Sequence, residues 1–246
     1  MVYVKICGIT NLEDARVAAE AGADFLGFIF YPPSPRYVTP EQAGEIIQAI
    51  RAEFGEAAPR CVGVFVDEPA DAVRTAIDAA GLDLVQLHGV ESPAAVAALA
   101  PYAFKALRSQ TLVEAQTALQ EYFCTLEAPS MERLGASSSA HLPPETGAVS
   151  QSLDIPQLLV DAYHPQQKGG TGLVADVAIA RWLAERCRLL LAGGLTPENV
   201  KDAIAQVRPW GVDVSSGVEA TKGKKDHGKV KAFIAAVEIG NLLQKR

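Results

Sequence analysis

Eight times along the chain, a short apolar run is followed by a stretch with helical patterning. This alternation limits the fold more than any other feature. The runs fall at 2–7, 24–30, 61–66, 83–87, 104–107, 157–161, 188–192 and 211–214. Several are apolar on both faces, as in Phe25-Leu26-Gly27-Phe28-Ile29-Phe30, which suits parallel strands covered on both sides. Helix starts stand between the runs. Asn11 precedes Leu12-Glu13-Asp14, a cap followed by acids that complement the helix dipole. Thr39-Pro40-Glu41, Asp67-Glu68-Pro69, Ser92-Pro93 and Thr196-Pro197-Glu198 place proline near a first turn. A last helix is expected over 227–243. Strand–helix alternation implies a parallel α/β sheet, and eight units match a single (β/α)8 barrel, the TIM barrel, spanning 1–246. The competing open doubly wound sheet would carry a G-x-G-x-x-G turn after the first strand. Here that turn reads Cys7-Gly8-Ile9-Thr10.

Residues 127–154 break the rhythm. They hold six Ser and three Pro, no aromatic residue and no period of 2 or 3.6. Such a composition buries too little apolar surface to offset the entropy of ordering. The segment is expected to be a mobile insertion between helix 5 and strand 6, on the bottom face of the barrel.

The formal net charge of −7 argues against a nucleic-acid partner. The small basic clusters, Lys222, Lys224 and Lys225, then Lys229 and Lys231, read as solvated faces. No apolar run approaches the roughly 18 residues of a membrane span, and the start lacks the pattern of a signal peptide. Cys7, Cys61, Cys124 and Cys187 are dispersed and form no C-x-x-C pair. Free thiols in a cytoplasmic protein are therefore expected, with no membrane partner and no metal.

In a barrel, chemistry gathers where strands end and βα loops begin. Strand 7 ends in Ala192-Gly193-Gly194, and strand 8 in Ser215-Ser216-Gly217. Small residues there let backbone N–H groups approach an anion, and the loops after strands 7 and 8 are the usual phosphate site of this fold. Gly170 lies in a glycine-rich loop after strand 6 that could close as a lid. Asp161 ends strand 6 behind Leu158-Leu159-Val160, where partial desolvation would raise its pKa and favour proton donation. Cys7 faces the same rim. A thiol is a useful base only if its pKa is lowered, and a small buried hydrophobe is the competing role. Arg36, in a proline-stiffened loop, could fork onto a carboxylate. His88 at the end of strand 4 could contact substrate or satisfy a neighbour. Asp213 could point into the barrel.

The ordered segments "KICGIT", "FYPPSPRYV", "GVFVD", "VQLHG", "VDAY", "GGTG", "LAGGLTPENV" and "VDVSSGVE" resemble the phosphoribosylanthranilate isomerase family of tryptophan biosynthesis. The resemblance implies an Amadori rearrangement of a phosphorylated amino-sugar, with Cys7 as general base and Asp161 as general acid. It implies that Arg36 holds the anthranilate carboxylate, and that Gly193, Gly194, Ser215, Ser216 and Gly217 take the phosphate. The iminium formed from the substrate acidifies the neighbouring C–H, so no cofactor is expected. A monomer or homodimer is expected. Two readings compete. One is another phosphosugar barrel such as indole-glycerol phosphate synthase, where a lysine at a strand end would be needed; Lys105 lies inside strand 5, so residue type alone does not exclude this reading. The other is a non-catalytic sensor of phosphate ligands.

Overall fold

The computed structural model describes residues 1–108, 111–123, 155–161 and 172–244. Its strands are β1 (Tyr3–Cys7), β2 (Phe25–Ile29), β3 (Arg60–Phe65), β4 (Leu84–Leu87), β5 (Ala103–Leu107), β6 (Leu158–Asp161), β7 (Leu189–Ala192) and β8 (Gly211–Val214). They form a closed barrel in chain order. Every neighbouring pair is parallel, and β8 closes on β1 from Tyr3 opposite Gly211 to Ile6 opposite Val214. The expected barrel is thus present, with strand limits within two residues of those read from the sequence. The expected insertion at 127–154 lies outside the described residues.

The helices are α1 (Leu12–Glu20), α2 (Pro40–Phe54), α3 (Ala70–Ala80), α4 (Pro93–Ala98), α5 (Leu112–Ala118), α6 (Gly172–Ala184), α7 (Val200–Val207) and α8 (His227–Gln244). Asn11 caps α1 by accepting from the Asp14 N–H, and Thr39 and Gln42 form a reciprocal capping box on α2. Ser92 caps α4 through the Ala95 N–H. The Thr196-Pro197-Glu198 start is displaced: α7 begins only at Val200, because the Asn199 side chain first folds back onto the Thr196 N–H and forms a turn. A hairpin of β9 (Glu219–Thr221) and β10 (Lys224–Lys225) follows β8. None of the described helices is long and apolar enough to cross a membrane.

Side chains alternate across each strand, which builds two cores. Phe25, Val62, Leu84, Phe104, Leu159 and Leu190 fill the lower barrel interior. Tyr3 and Trp210 stack beneath them, with ring centres 4.2 Å apart. The opposite faces, including Ile6, Leu26, Phe28 and Val85, pack in the second core with helix residues such as Ile47, Val73 and Ile204. The apolar plug stops halfway up. Above it polar residues enter the inner face: Lys5 and Cys7 on β1, Gln86 on β4, Asp161 on β6 and Asp213 on β8.

Candidate active site

Above this polar floor is a cavity of about 590 Å³ at the carboxyl ends of the strands. Cys7, Asp161, Arg36, His88 and Asp213 all line it. So do Gly193 and Gly194 after β7, and Ser215, Ser216 and Gly217 after β8. The sequence candidates therefore converge on one site. Gly170 lies outside the described residues.

Cys7 is 5% exposed. Its register partner on β2 is Gly27, where an added Cβ would stand 2.8 Å from the thiol sulfur. The bare glycine makes room for the thiol. Burial dominates and leaves the Cys7 pKa raised above the ordinary thiol value; the Lys5 and Lys225 charges pull it down only in part, and Asp213 adds to the rise, so the lowered thiol that a base would favour is not what the resting site shows. Lys5 lies two residues before Cys7, so both point inward. Its Nζ donates to Gln86 Oε1 at 2.8 Å and to Asp213 Oδ1 at 2.9 Å. Lys5 and Asp213 are register partners across the β1–β8 seam. Burial opposes the ammonium charge, but attraction to Asp213 and Cys7 outweighs it and leaves the Lys5 pKa raised. Gln86 also reaches up the same strand, its Nε2 standing 2.7 Å from His88 Nδ1.

Arg36 meets an unexpected partner. Its Nε donates to Glu219 Oε1 at 2.6 Å and its Nη2 to Oε2 at 2.7 Å. This bidentate bond fixes the guanidinium plane and leaves the Nη1 edge for another acceptor. The side chain arches over Gly8, where a Cβ would lie 2.5 Å from Arg36 Cδ. Burial works against the Glu219 charge, but Arg36 and Lys225 hold its pKa below the ordinary carboxylate value. Lys225 Nζ in turn donates to the carbonyls of Cys7 at 2.6 Å and Ser215 at 3.1 Å. Its backbone N–H donates to Asp14 Oδ2, and Asp14 also faces His227 Nε2 at 2.9 Å. The hairpin after β8 is thereby tied to the ends of β1 and β8.

The loops after β7 and β8 are shaped by small residues. Gly193 and Gly194 turn with φ of 98° and 62°, a region that favours glycine. Ser215 Oγ is buried and has no hydrogen-bond partner among the described residues.

Two expectations need correction. Lys225, expected on a solvated face, is 2% exposed, because Glu219, two carbonyls and Asp14 gather around it. Lys105 does not enter the cavity. Alternation on β5 turns it away from the barrel interior, where its Nζ donates to the carbonyls of Leu87, Gly89 and Ala106 and pairs with Glu91 at 3.1 Å. Four site residues carry no obvious mark in the sequence: Lys5, Gln86, Glu219, and Arg108, which lines the cavity near His88. The two-residue spacing of Lys5 from Cys7 is a signal that could have found the first of these. Arg36, which Glu219 braces, lies 183 residues away in sequence and left no such mark.

A family model described as N-(5'phosphoribosyl)anthranilate (PRA) isomerase matches residues 4–129 and 119–236. The N-(5'-phosphoribosyl)anthranilate isomerase of Pelobacter propionicus is 42% identical over 234 residues, covering 95% of this chain and 94% of that protein. The crystal structure of phosphoribosyl anthranilate isomerase from Thermotoga maritima superposes with a TM-score of 0.72 at 37% identity, covering 97% of this chain and 99% of that one. A second structure of such an enzyme, in complex with reduced 1-(o-carboxyphenylamino)-1-deoxyribulose 5-phosphate, gives a TM-score of 0.71 at 36% identity, again covering 97% and 99%. With the family model spanning nearly the whole barrel and these relatives matching almost end to end, the chain belongs to the N-(5'-phosphoribosyl)anthranilate isomerase family.

Proposed function

We infer that this protein catalyses the Amadori rearrangement of N-(5'-phosphoribosyl)anthranilate to 1-(2-carboxyphenylamino)-1-deoxyribulose 5-phosphate, the isomerase step of tryptophan biosynthesis. The observation that carries the reading is the convergence on one cavity of a thiol, a carboxyl, an arginine braced by Glu219 and two anion-ready loops.

The chemistry follows from the groups. Asp161 donates a proton to the ring oxygen of the furanose, and the C1–O bond breaks. The nitrogen lone pair then forms a C1=N double bond, giving a protonated Schiff base. The Cys7 thiolate takes the proton from C2. The C–H electron pair becomes a C1=C2 bond, and the iminium π electrons return to nitrogen. Protonation of the resulting enolamine at C1 and loss of the hydroxyl proton at C2 give the ketone. The Lys5 ammonium opposes the rise that burial imposes on the Cys7 pKa, so the thiolate is less costly here than in the same pocket without that charge. Each positioned acid or base contributes roughly 10²–10⁴ in rate. The Nη1 edge of Arg36 suits the anthranilate carboxylate. Gly193, Gly194, Ser215, Ser216 and Gly217 suit the phosphate, with Ser215 Oγ as one donor. Together these two grips hold the reacting carbons in place.

The test is loss of anthranilate-moiety fluorescence when the pure protein meets freshly made substrate. The account expects rapid decay proportional to enzyme concentration. Decay no faster than the uncatalysed background would overturn it.

A further inference from the structure

Lys5, Gln86 and His88 form a chain in which every polarity is determined. An ammonium only donates. The Gln86 atom 2.8 Å from Lys5 Nζ must therefore be the carbonyl oxygen, since the amide NH2 would set donor against donor. That orientation turns Gln86 Nε2 toward His88 Nδ1, 2.7 Å away. An amide nitrogen also only donates, so Nδ1 must accept and cannot carry a proton. The remaining proton of the imidazole then sits on Nε2. The His88 ring lines the same cavity as Cys7 and Asp161.

We propose that Lys5 and Gln86 are positioning residues that lock His88 as the neutral Nε2–H tautomer, making His88 a hydrogen-bond donor to a substrate oxygen and not a proton acceptor. The tautomer stands on geometry alone; the donor role rests on the isomerase reading above. The only basic lone pair of the imidazole is occupied by Gln86, so His88 cannot compete with Cys7 for the C2 proton. A neutral donor suits the oxygens of a sugar hydroxyl, a carboxylate or a developing enol.

The charged surroundings favour the neutral ring. Lys5 comes from β1, Arg108 and Lys105 from β5 and its end, while Asp67, Asp161 and Asp213 supply the acids from the ends of β3, β6 and β8. Burial, Arg108 and Lys5 push the imidazole pKa down, and Asp213 and Asp161 oppose them only in part. The same buried ammonium that offsets part of the rise in the Cys7 pKa thus also sets the proton position on His88.

The experiment is ¹⁵N–¹H correlation spectroscopy of the histidine rings in the resting enzyme near neutral pH, with His88 assigned through His88→Gln. The chain has four histidines, so assignment is direct. The expected spectrum has Nε2 protonated and Nδ1 unprotonated. Gln86→Glu places a carboxylate between Lys5 and His88, and should move a proton onto Nδ1. Gln86→Met should leave a mixture of tautomers. For the donor role, His88→Leu should lower kcat by about 10²-fold, the scale of a removed oxyanion donor. His88→Gln keeps a neutral N–H and should lose about tenfold or less on that scale. A wild-type ring protonated on Nδ1, or a Gln86→Glu spectrum unchanged from wild type, overturns the tautomer assignment. Equal losses in His88→Leu and His88→Gln overturn the donor role. Because the spectra need no turnover, failure of the isomerase reading would leave the tautomer result standing.

Discussion

Glu219→Gln isolates the arginine clamp. Glu219 is 6% exposed at its side chain and Arg36 19%, so the pair is largely shielded from water. The amide keeps one acceptor for Arg36 Nε but turns an NH2 toward Nη2, where a carboxylate oxygen now sits at 2.7 Å. One charge-assisted bond is lost, and Arg36 and Lys225 lose their shared counter-charge. A hydrogen bond to a charged group contributes about 1.5–3 kcal/mol. If the substrate carboxylate depends on the orientation that Glu219 imposes, affinity falls by about 10- to 150-fold, at roughly tenfold per 1.4 kcal/mol. The clamp grips a group remote from the reacting carbons, so KM should rise much more than kcat falls. The assay is the fluorescence progress curve, together with titration of a reduced product analogue with and without its carboxylate. Wild type should prefer the carboxylated analogue strongly and Glu219→Gln only weakly. Stability supplies a second readout. The folded-state pKa of Glu219 is held below its ordinary value of 4.5. Its contribution is therefore fully present above that pH and disappears as pH falls through the depressed value. The Tm gap between wild type and Glu219→Gln should be constant at neutral pH and close in acid. Unchanged KM and unchanged analogue discrimination would refute the reasoning.

Other consequences are as specific. Gly27→Ala puts a methyl where 2.8 Å separates it from the Cys7 sulfur. It should lower kcat by at least about tenfold and cost about 1–3 kcal/mol of stability, the usual scale of overpacking, measured by kinetics and urea unfolding. Lys105→Met leaves Glu91 buried without its cation and should destabilise by about 3–5 kcal/mol. The folded fraction should keep its kcat, and a catalytic loss without destabilisation would restore Lys105 as a site residue. Lys5→Met removes a charge that pulls the Cys7 pKa down. Burial already holds the Cys7 pKa up, so in a Cys124→Ser background the pH at which iodoacetamide modifies Cys7 should rise further, while the pH dependence of Cys61 and Cys187, both pushed up to about 12, should be the same in both proteins.

The barrel was legible because its period is repeated: eight apolar runs, several of them apolar on both faces, and their caps leave few other ways to bury the chain. The rim residues were legible because a barrel concentrates polar groups at strand ends, so Cys7, Asp161 and the paired small-residue loops stood out by position. What the sequence hid is the network beneath them. Lys225 sits among solvated lysines in sequence, yet tertiary contacts surround it with carbonyls and a carboxylate. Glu219 is 183 residues from Arg36 along the chain. Lys105 lies on a barrel strand but on its outward face, a distinction of one residue in a period of two. Lys5 and Gln86 sit inside apolar strands, where a polar residue is easily passed over unless its partner across the barrel is known.

The account rests on Cys7 and Asp161 as the base and the acid of the rearrangement, and single-turnover rates of Cys7→Ala and Asp161→Asn measure this most directly. Each variant should fold with a Tm near that of wild type and convert substrate at least about 10²-fold more slowly. For wild type in D2O, the product should carry solvent deuterium at C1, because the enolamine is protonated there. A folded variant of either residue that turns over at a near-normal rate would contradict the assignment of that group.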